Sequence, residues 1–388
     1  MSLRLALLAA AAMAFRAHAG GLGITPSGPA PATVLFDWTT QRCETTDIPD
    51  APARAFRDFH GAVHLFATHN DNRAFTGPDF AHLRHDCAVI YQGHHDDDPA
   101  HYDDRQWLTA FTTTDGRTID AIVHDEFHGH LRPALCPSRQ YIACWYNALT
   151  FAVSTDGGAS FHQPPPPANL IASTPYRYTP DAGHPVGYFQ PTNIVHKDGQ
   201  YYVMFLATQV GAQPRAACLA RTATPGDPAS WRGWNGHGFD LRFIDPYTQP
   251  TEDPAAHICA DVGHGRFFEM GSLTFDPTSG LFVMLSSIGH GGGNARRPPG
   301  VYVTTSPDLL AWGEPQPLID EQTLVREDGG GPYHDGFYAL IDEASDSRDF
   351  STIARAPSLF LYYVAFDERA MPYSRRLEKR AVTLTRGP

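Results

Sequence analysis

Residues 103–126 read DDRQWLTAFTTTDGRTIDAIVHDE. Two acids lead into an apolar run, an Asp-Gly turn follows, and a second apolar run returns. Asp-Gly between β-rich segments favours a hairpin. The scheme recurs as DAPARAFRDFHGAVHLFATHN at 50–70, FQPTNIVHKDGQYYVMFLAT at 189–208 and FEMGSLTFDPTSGLFVMLSS at 268–287. A looser copy, HDGFYALIDEASDSRDFSTIARAPSLFLYYVAF, occupies 334–366. The turns fall near Gly61, Gly116, Gly199 and Gly280.

Third strands follow several copies. ALTFAVSTDGGASF (148–161), ACLARTATPGDPASW (217–231) and GVYVTTSPDLLAWG (300–313) share a strand, a polar turn and an aromatic. Helical periodicity is nearly absent. Five two-hairpin units of about 65–80 residues predict an all-β chain, a five-bladed β-propeller with four-stranded antiparallel blades. ATVLFDW at 32–38 is expected to add an outer strand to the last blade and close the ring. A β-sandwich would explain the strand content but not five copies of one lead-in.

The chain has 388 residues and a formal net charge of −13, which opposes binding to nucleic acid or an anionic membrane. It opens MSLRLALLAAAAMAFRAHAG, an arginine, an apolar run and an Ala-His-Ala site. Residues 1–19 therefore read as a signal peptide, which places 20–388 outside the cytoplasm as a single secreted or periplasmic domain. No later segment has the run of about 20 apolar residues that a membrane span needs. The six cysteines suit an oxidising compartment and allow three disulfides in 15 connectivities; sequence order pairs Cys43–Cys87, Cys136–Cys144 and Cys218–Cys259. The chain is expected to act as a monomer.

In a propeller the innermost strand of each blade starts near the central channel, so the lead-in residues converge. Here they are Asp50; Asp103 and Asp104; Gln190 and Asn193; Glu269; and His334 with Asp335. Four of the five lead-ins carry a carboxylate. Like charges brought together disfavour one another, so such a cluster serves catalysis, a cation or sugar hydroxyls.

This arrangement resembles the five-bladed propeller glycoside hydrolases of family 43 and their relatives in families 32, 68, 117 and 130. In the family 43 pattern an Asp opens the first blade, a second Asp the next, and a Glu comes from a later blade. IPDAPARAF at 48–56 matches the first, which implies Asp50 as general base. Asp104 matches the second, the residue that tunes and orients the acid. The third blade offers Gln190 in FQPTNIV where the pattern has a Glu; Glu269 in FFEMGSLTF lies one blade later. Some relatives hold a calcium ion in the channel near a His, which implies a structural calcium facing His334 and Asp335. The reaction itself requires no cofactor.

The segment HDEFHGH, 124–130, adds a second candidate acid, Glu126. Aligning second strands sets His69 beside His124 and Asp71 beside Glu126, on a loop at the funnel rim. That segment reads as the proton donor, as a metal site of His124, His128 and His130, or as a loop that binds substrate or is structural. Arg54 could bind a carboxylate or sulfate through its planar fork, or pair with Asp50 or Asp104. His69, His124, His128, Gln190, Asn193, His334 and Asp335 are candidate substrate ligands. Trp145, Tyr146, Tyr188 and Trp234 are candidate stacking platforms. STDGGASF at 154–161 reads as a structural β-turn.

The function these residues imply is cleavage of a glycosidic bond in a polysaccharide or oligosaccharide by a general acid and a general base. Two alternatives stand beside it. One is a polysaccharide lyase acting on a uronate-containing glycan. The other is a propeller that binds sugar without cutting it.

Overall fold

A computed structural model describes residues 21–28, 31–289, 297–327, 333–370 and 372–387. The segment read as a signal peptide lies outside them. The strands fall into five consecutive groups. The first holds β3 (Arg54–Arg57), β4 (Val63–Phe66), β5 (Phe75–Gly77) and β6 (Arg84–His85). The second holds β7 (Arg105–Thr112), β8 (Ile119–His128), β9 (Trp145–Ser154) and β10 (Leu170–Ala172). The third holds β11 (Val186–Phe189), β12 (Val195–Lys197), β13 (Gln200–Ala207), β14 (Ala216–Thr222) and β15 (Arg232–Gly233). The fourth holds β16 (Glu269–Asp276), β17 (Leu281–Ile288), β18 (Gly300–Ser306) and β19 (Gln316–Asp320). The fifth holds β20 (Tyr333–Asp342), β21 (Leu359–Asp367) and β22 (Arg375–Arg386). It is completed by β1 (Leu22–Pro26) and β2 (Thr33–Asp37), both antiparallel to β22. The outer strand expected at 32–38 is therefore present.

Each of the five hairpins expected from the repeat forms. Gly199 and Gly280 turn two of them with φ of 73° and 72°, a region open to glycine at no steric cost. Hydrogen bonding yields four sheets rather than five separate ones, because β11 joins the second and third groups into one of nine strands. It runs parallel to β9 at Gly187↔Asn147 and antiparallel to β13. The close approach requires Gly187: a Cβ there would stand 2.0 Å from the Asn147 carbonyl oxygen.

Five apolar clusters lie between the groups in cyclic order. Phe56 and Phe66 pack on Leu108 and Phe111. Ile122 and Leu149 pack on Tyr188 and Phe205. Met204 and Leu219 pack on Leu273 and Met284. Leu285 and Val303 pack on Leu340 and Tyr363. Ile341 and Tyr362 return to Leu65 and Phe75 of the first group, with Phe36 of β2. Each such side chain contributes about 1.5–3 kcal/mol on burial, so every inter-group seam is a substantial part of the core.

Polar clamps cross the same seams. Asn193 accepts from the Leu273 N–H at 2.8 Å and donates to its carbonyl at 2.5 Å. The Ser272 hydroxyl accepts from the Leu340 N–H at 2.8 Å. All three disulfides join the cysteines that sequence order pairs. STDGGASF is the turn expected: Ser154 accepts from the Gly158 N–H, and Phe161 is buried. Among the described residues no helix is long and apolar enough to cross a membrane.

Candidate active site

All five groups contribute to one cavity of about 690 Å³. Strand parity explains what the second group supplies. Alternate residues of a strand face the same side. Arg105, Trp107 and Thr109 of β7 therefore line the cavity together, as do His124, Glu126 and His128 of β8. In register, Arg105 lies opposite Glu126, and Trp107 opposite His124. The HDEF segment is thus the end of a strand and not the rim loop expected from its polar composition. The chain leaves β8 only at Gly129.

Glu126 is 9% exposed. Its carboxyl is hydrogen-bonded to His128 Nε2 at 2.9 Å and stands 3.6 Å from His124 Nδ1. Burial raises its pKa to about 7; the charges of Asp50 and Asp104 push the same way, while His124 and Arg105 oppose them. Burial also holds the His128 imidazole down to about 3 and lowers that of His124. Glu126 therefore keeps its proton on a substantial fraction of molecules near neutral pH, set between histidines whose own pKa values burial lowers.

Asp50 lines the same cavity, ion-paired with Arg375 of β22 and 3.9 Å from His69 Nε2. Arg375 also donates to the Pro49 carbonyl at 3.0 Å, so the pair is tied into the backbone. Burial lowers the pKa of His69, whose ring meets Trp107 edge-on at 5.6 Å. Glu269 lines the cavity too, but it is exposed and accepts from the Ser287 hydroxyl at 2.9 Å. Gln190 accepts from the Met270 N–H at 3.1 Å. His334 stacks on Phe366 at 4.6 Å and faces Glu368 at 3.4 Å, with Asp335 beside it in the cavity wall.

Three expected site residues are turned elsewhere. Arg54, 3% exposed, lines a separate small void to which all five groups contribute. It donates to the carbonyls of Thr109, Ala53, Pro191 and Gly271 at 2.9, 3.0, 3.2 and 2.6 Å. Its fork is occupied by main chain from four groups, so it is neither a sugar ligand nor a partner of Asp50 or Asp104. Asp104 precedes β7 and has the opposite parity to Arg105. It accepts from both guanidinium ends of Arg132, at 2.8 and 3.0 Å, and from the His128 N–H at 2.8 Å. It stands behind the cavity wall, anchors His128, and reaches Glu126 only through its charge. Asn193 is the inter-group clamp described above and lines the same small void as Arg54, not the cavity. His124, His128 and His130 do not gather as metal ligands. Among the described residues, close sets of ligand atoms occur only around the cystines Cys43–Cys87 and Cys136–Cys144.

No family model and no curated protein matches the chain. Solved structures do. A glycosyl hydrolase from Bacteroides ovatus matches with a TM-score of 0.50 at 11% identity, over 94% of this chain and 95% of its own. A GH43_1 enzyme from Xanthomonas citri gives 0.49 at 14% identity, over 90% and 89%. A Cellvibrio cellulosa α-L-arabinanase complexed with arabinohexaose gives 0.48 at 12%, over 87% and 92%. At these identities the likeness is one of fold. The expected likeness to glycoside hydrolases is met at that level by the Bacteroides ovatus structure.

Several cavity residues were not singled out from sequence, namely Arg105, Trp107, Tyr141, Phe366 and Glu368, and neither was Arg375, the partner of Asp50. For Arg105 and Trp107 the signal was there, since they share parity on the same strand. Tyr141 reaches the cavity from the loop closed by Cys136–Cys144, and it stacks on Trp145 at 4.8 Å and 17°. Of the aromatics expected to stack on sugar, Trp145 lines the cavity, Tyr146 and Tyr188 are buried in the core, and Trp234 packs on Phe239.

Proposed function

We propose that this chain is an exported five-bladed β-propeller glycoside hydrolase with Glu126 as general acid and Asp50 as general base. The observation that carries the reading is Glu126, a buried carboxyl facing a large cavity and raised to about 7. An acid catalyst needs a proton to give at working pH, and burial is the standard means of keeping one on a carboxyl. The cyclic order of the five apolar seams supports the propeller architecture, and the three disulfides support export.

In the proposed reaction the Glu126 proton passes to the departing glycosidic oxygen as its bond to the anomeric carbon breaks. Water attacks that carbon, and Asp50 takes the water proton. His128 and His124 hold the Glu126 carboxyl in place, and Asp104 fixes His128 from behind. The chemistry uses no metal.

Incubation with a panel of oligosaccharides, followed by product mass analysis, tests the proposal. Products whose summed mass exceeds that of the substrate by one water are expected. A rise in absorbance near 235 nm would instead report an unsaturated sugar and assign a lyase. Binding without any product would assign a sugar-binding protein.

A further inference from the structure

We infer that Arg105 is an anion-binding subsite that selects sugars bearing an acidic substituent, the carboxylate of a uronic acid or a sulfate ester. The inference rests on the reading of the cavity as a sugar site, though not on cleavage.

The argument is one of unused donors. A guanidinium carries five N–H donors in a planar fork matched to a carboxylate or sulfate. The other arginines around the cavity are occupied. Arg375 holds Asp50 and the Pro49 carbonyl. Arg132 holds Asp104 and Asp97. Arg54 is filled by four carbonyls. Arg105 lines the cavity, yet no described residue accepts a hydrogen bond from it, and its Nε is buried without a partner. Its cross-strand neighbour Glu126 turns to His128 instead.

Among the described residues it has no ion-pair partner. His69, His124 and His128 are held neutral by burial, and Asp50 already has Arg375. The cavity carboxylates Glu269, Asp335 and Glu368 belong to the fourth and fifth groups. An incoming anion would complete the fork and fix the acidic sugar beside the Glu126 carboxyl, which lies opposite Arg105 in register. The role that the sequence suggested for Arg54 thus falls to a residue 51 positions later, on the strand that faces the cavity.

Calorimetric binding of three probes to the full chain tests this: a uronic-acid-terminated oligosaccharide, the same molecule with its carboxyl reduced to the alcohol, and a sulfated neutral oligosaccharide. The expected result is that one or both acidic probes bind roughly tenfold or more tightly than the reduced one, the scale of a charge-assisted fork. Arg105→Gln should erase that preference, and Arg105→Lys should keep part of it. Whichever acidic probe is preferred identifies carboxylate or sulfate. Equal or absent binding of acidic and reduced probes by the wild-type chain, a result that depends on no variant, overturns the inference. So does a preference that survives in Arg105→Gln. Because binding is read without cleavage, failure of the hydrolase reading would show separately, as binding without products.

Discussion

Arg105 and Glu126 are cross-strand partners of opposite nominal charge, and they do not form an ion pair. Glu126 is instead hydrogen-bonded to His128 at 2.9 Å. A neutral neighbour keeps a buried carboxyl protonated, whereas a salt bridge would strip its proton. The pairing that is avoided is as informative as the one that is made.

The first prediction separates the two candidate acids. Glu126→Gln should lower kcat by about 10²–10⁴, the range for losing a positioned acid. Glu269→Gln, which removes an exposed carboxylate bound to Ser287, should change kcat less than tenfold. Steady-state kinetics on one cleaved oligosaccharide decides. A deep loss in Glu269→Gln with Glu126→Gln active would exchange their roles.

The pH dependence carries a second prediction with a defined sign. Glu126 gives its proton only while protonated, so kcat should fall as pH rises through about 7. The same group acts on stability. Its folded pKa lies above the ordinary glutamate value of 4.5, so its contribution is complete below pH 4.5 and is lost as pH rises to about 7. Above pH 7 the folded state holds a buried charge that costs up to about 3 kcal/mol, at 1.36 kcal/mol per pH unit. Glu126→Gln should therefore melt higher than the wild type at pH 8 and no higher at pH 4. Thermal unfolding at the two values checks it, and a lower Tm for the variant at pH 8 would contradict the assignment.

Much of this molecule could be read from its sequence, and the limits have physical causes. The hairpins were legible because turn geometry is local: an Asp-Gly or Thr-Ser-Gly segment carries its own φ preference. The sheet junction at β11 was not, because it depends on Gly187 meeting Asn147 across a gap of forty residues. Glu126 was named as a candidate but assigned to a loop. A run of His-Asp-Glu looks solvent-exposed until its parity shows Asp125 facing the interior and Glu126 facing the cavity. Arg54 misled for the opposite reason. A cation beside acidic lead-ins suggests an ion pair, and only the converging main chain shows that carbonyls take four of its five donors.

Arg54 gives a third prediction, a purely structural one. It is a buried cation whose partners are all carbonyls, drawn from three further groups besides its own. Arg54→Met would leave those buried carbonyls without this donor. Each buried acceptor left unsatisfied costs about 1–3 kcal/mol. Arg54→Lys should recover only part of it, since one ammonium cannot span the fork. Chemical denaturation should show the loss, and folded Arg54→Lys should keep the wild-type KM. A raised KM at unchanged stability would return Arg54 to the site.

The last prediction concerns the cavity wall. Tyr141 is 38% exposed, stacks on Trp145, and meets His128 edge-on at 5.1 Å. Its ring is presented by a short loop that the Cys136–Cys144 disulfide closes over 8 residues. A ring so held offers a flat face to a sugar at little entropic cost, and losing it removes binding made equally in ground and transition states. Tyr141→Ala should therefore raise KM about tenfold, near 1.4 kcal/mol, with kcat within about twofold. Tyr141→Phe should behave as the wild type if stacking, and not the hydroxyl, is responsible. Replacing both Cys136 and Cys144 by serine frees the loop without removing the ring, and should move KM in the same direction by a smaller factor. A fall in kcat at constant KM would mean that Tyr141 acts on Glu126 through His128, and the wall would then belong to the chemistry and not to substrate binding.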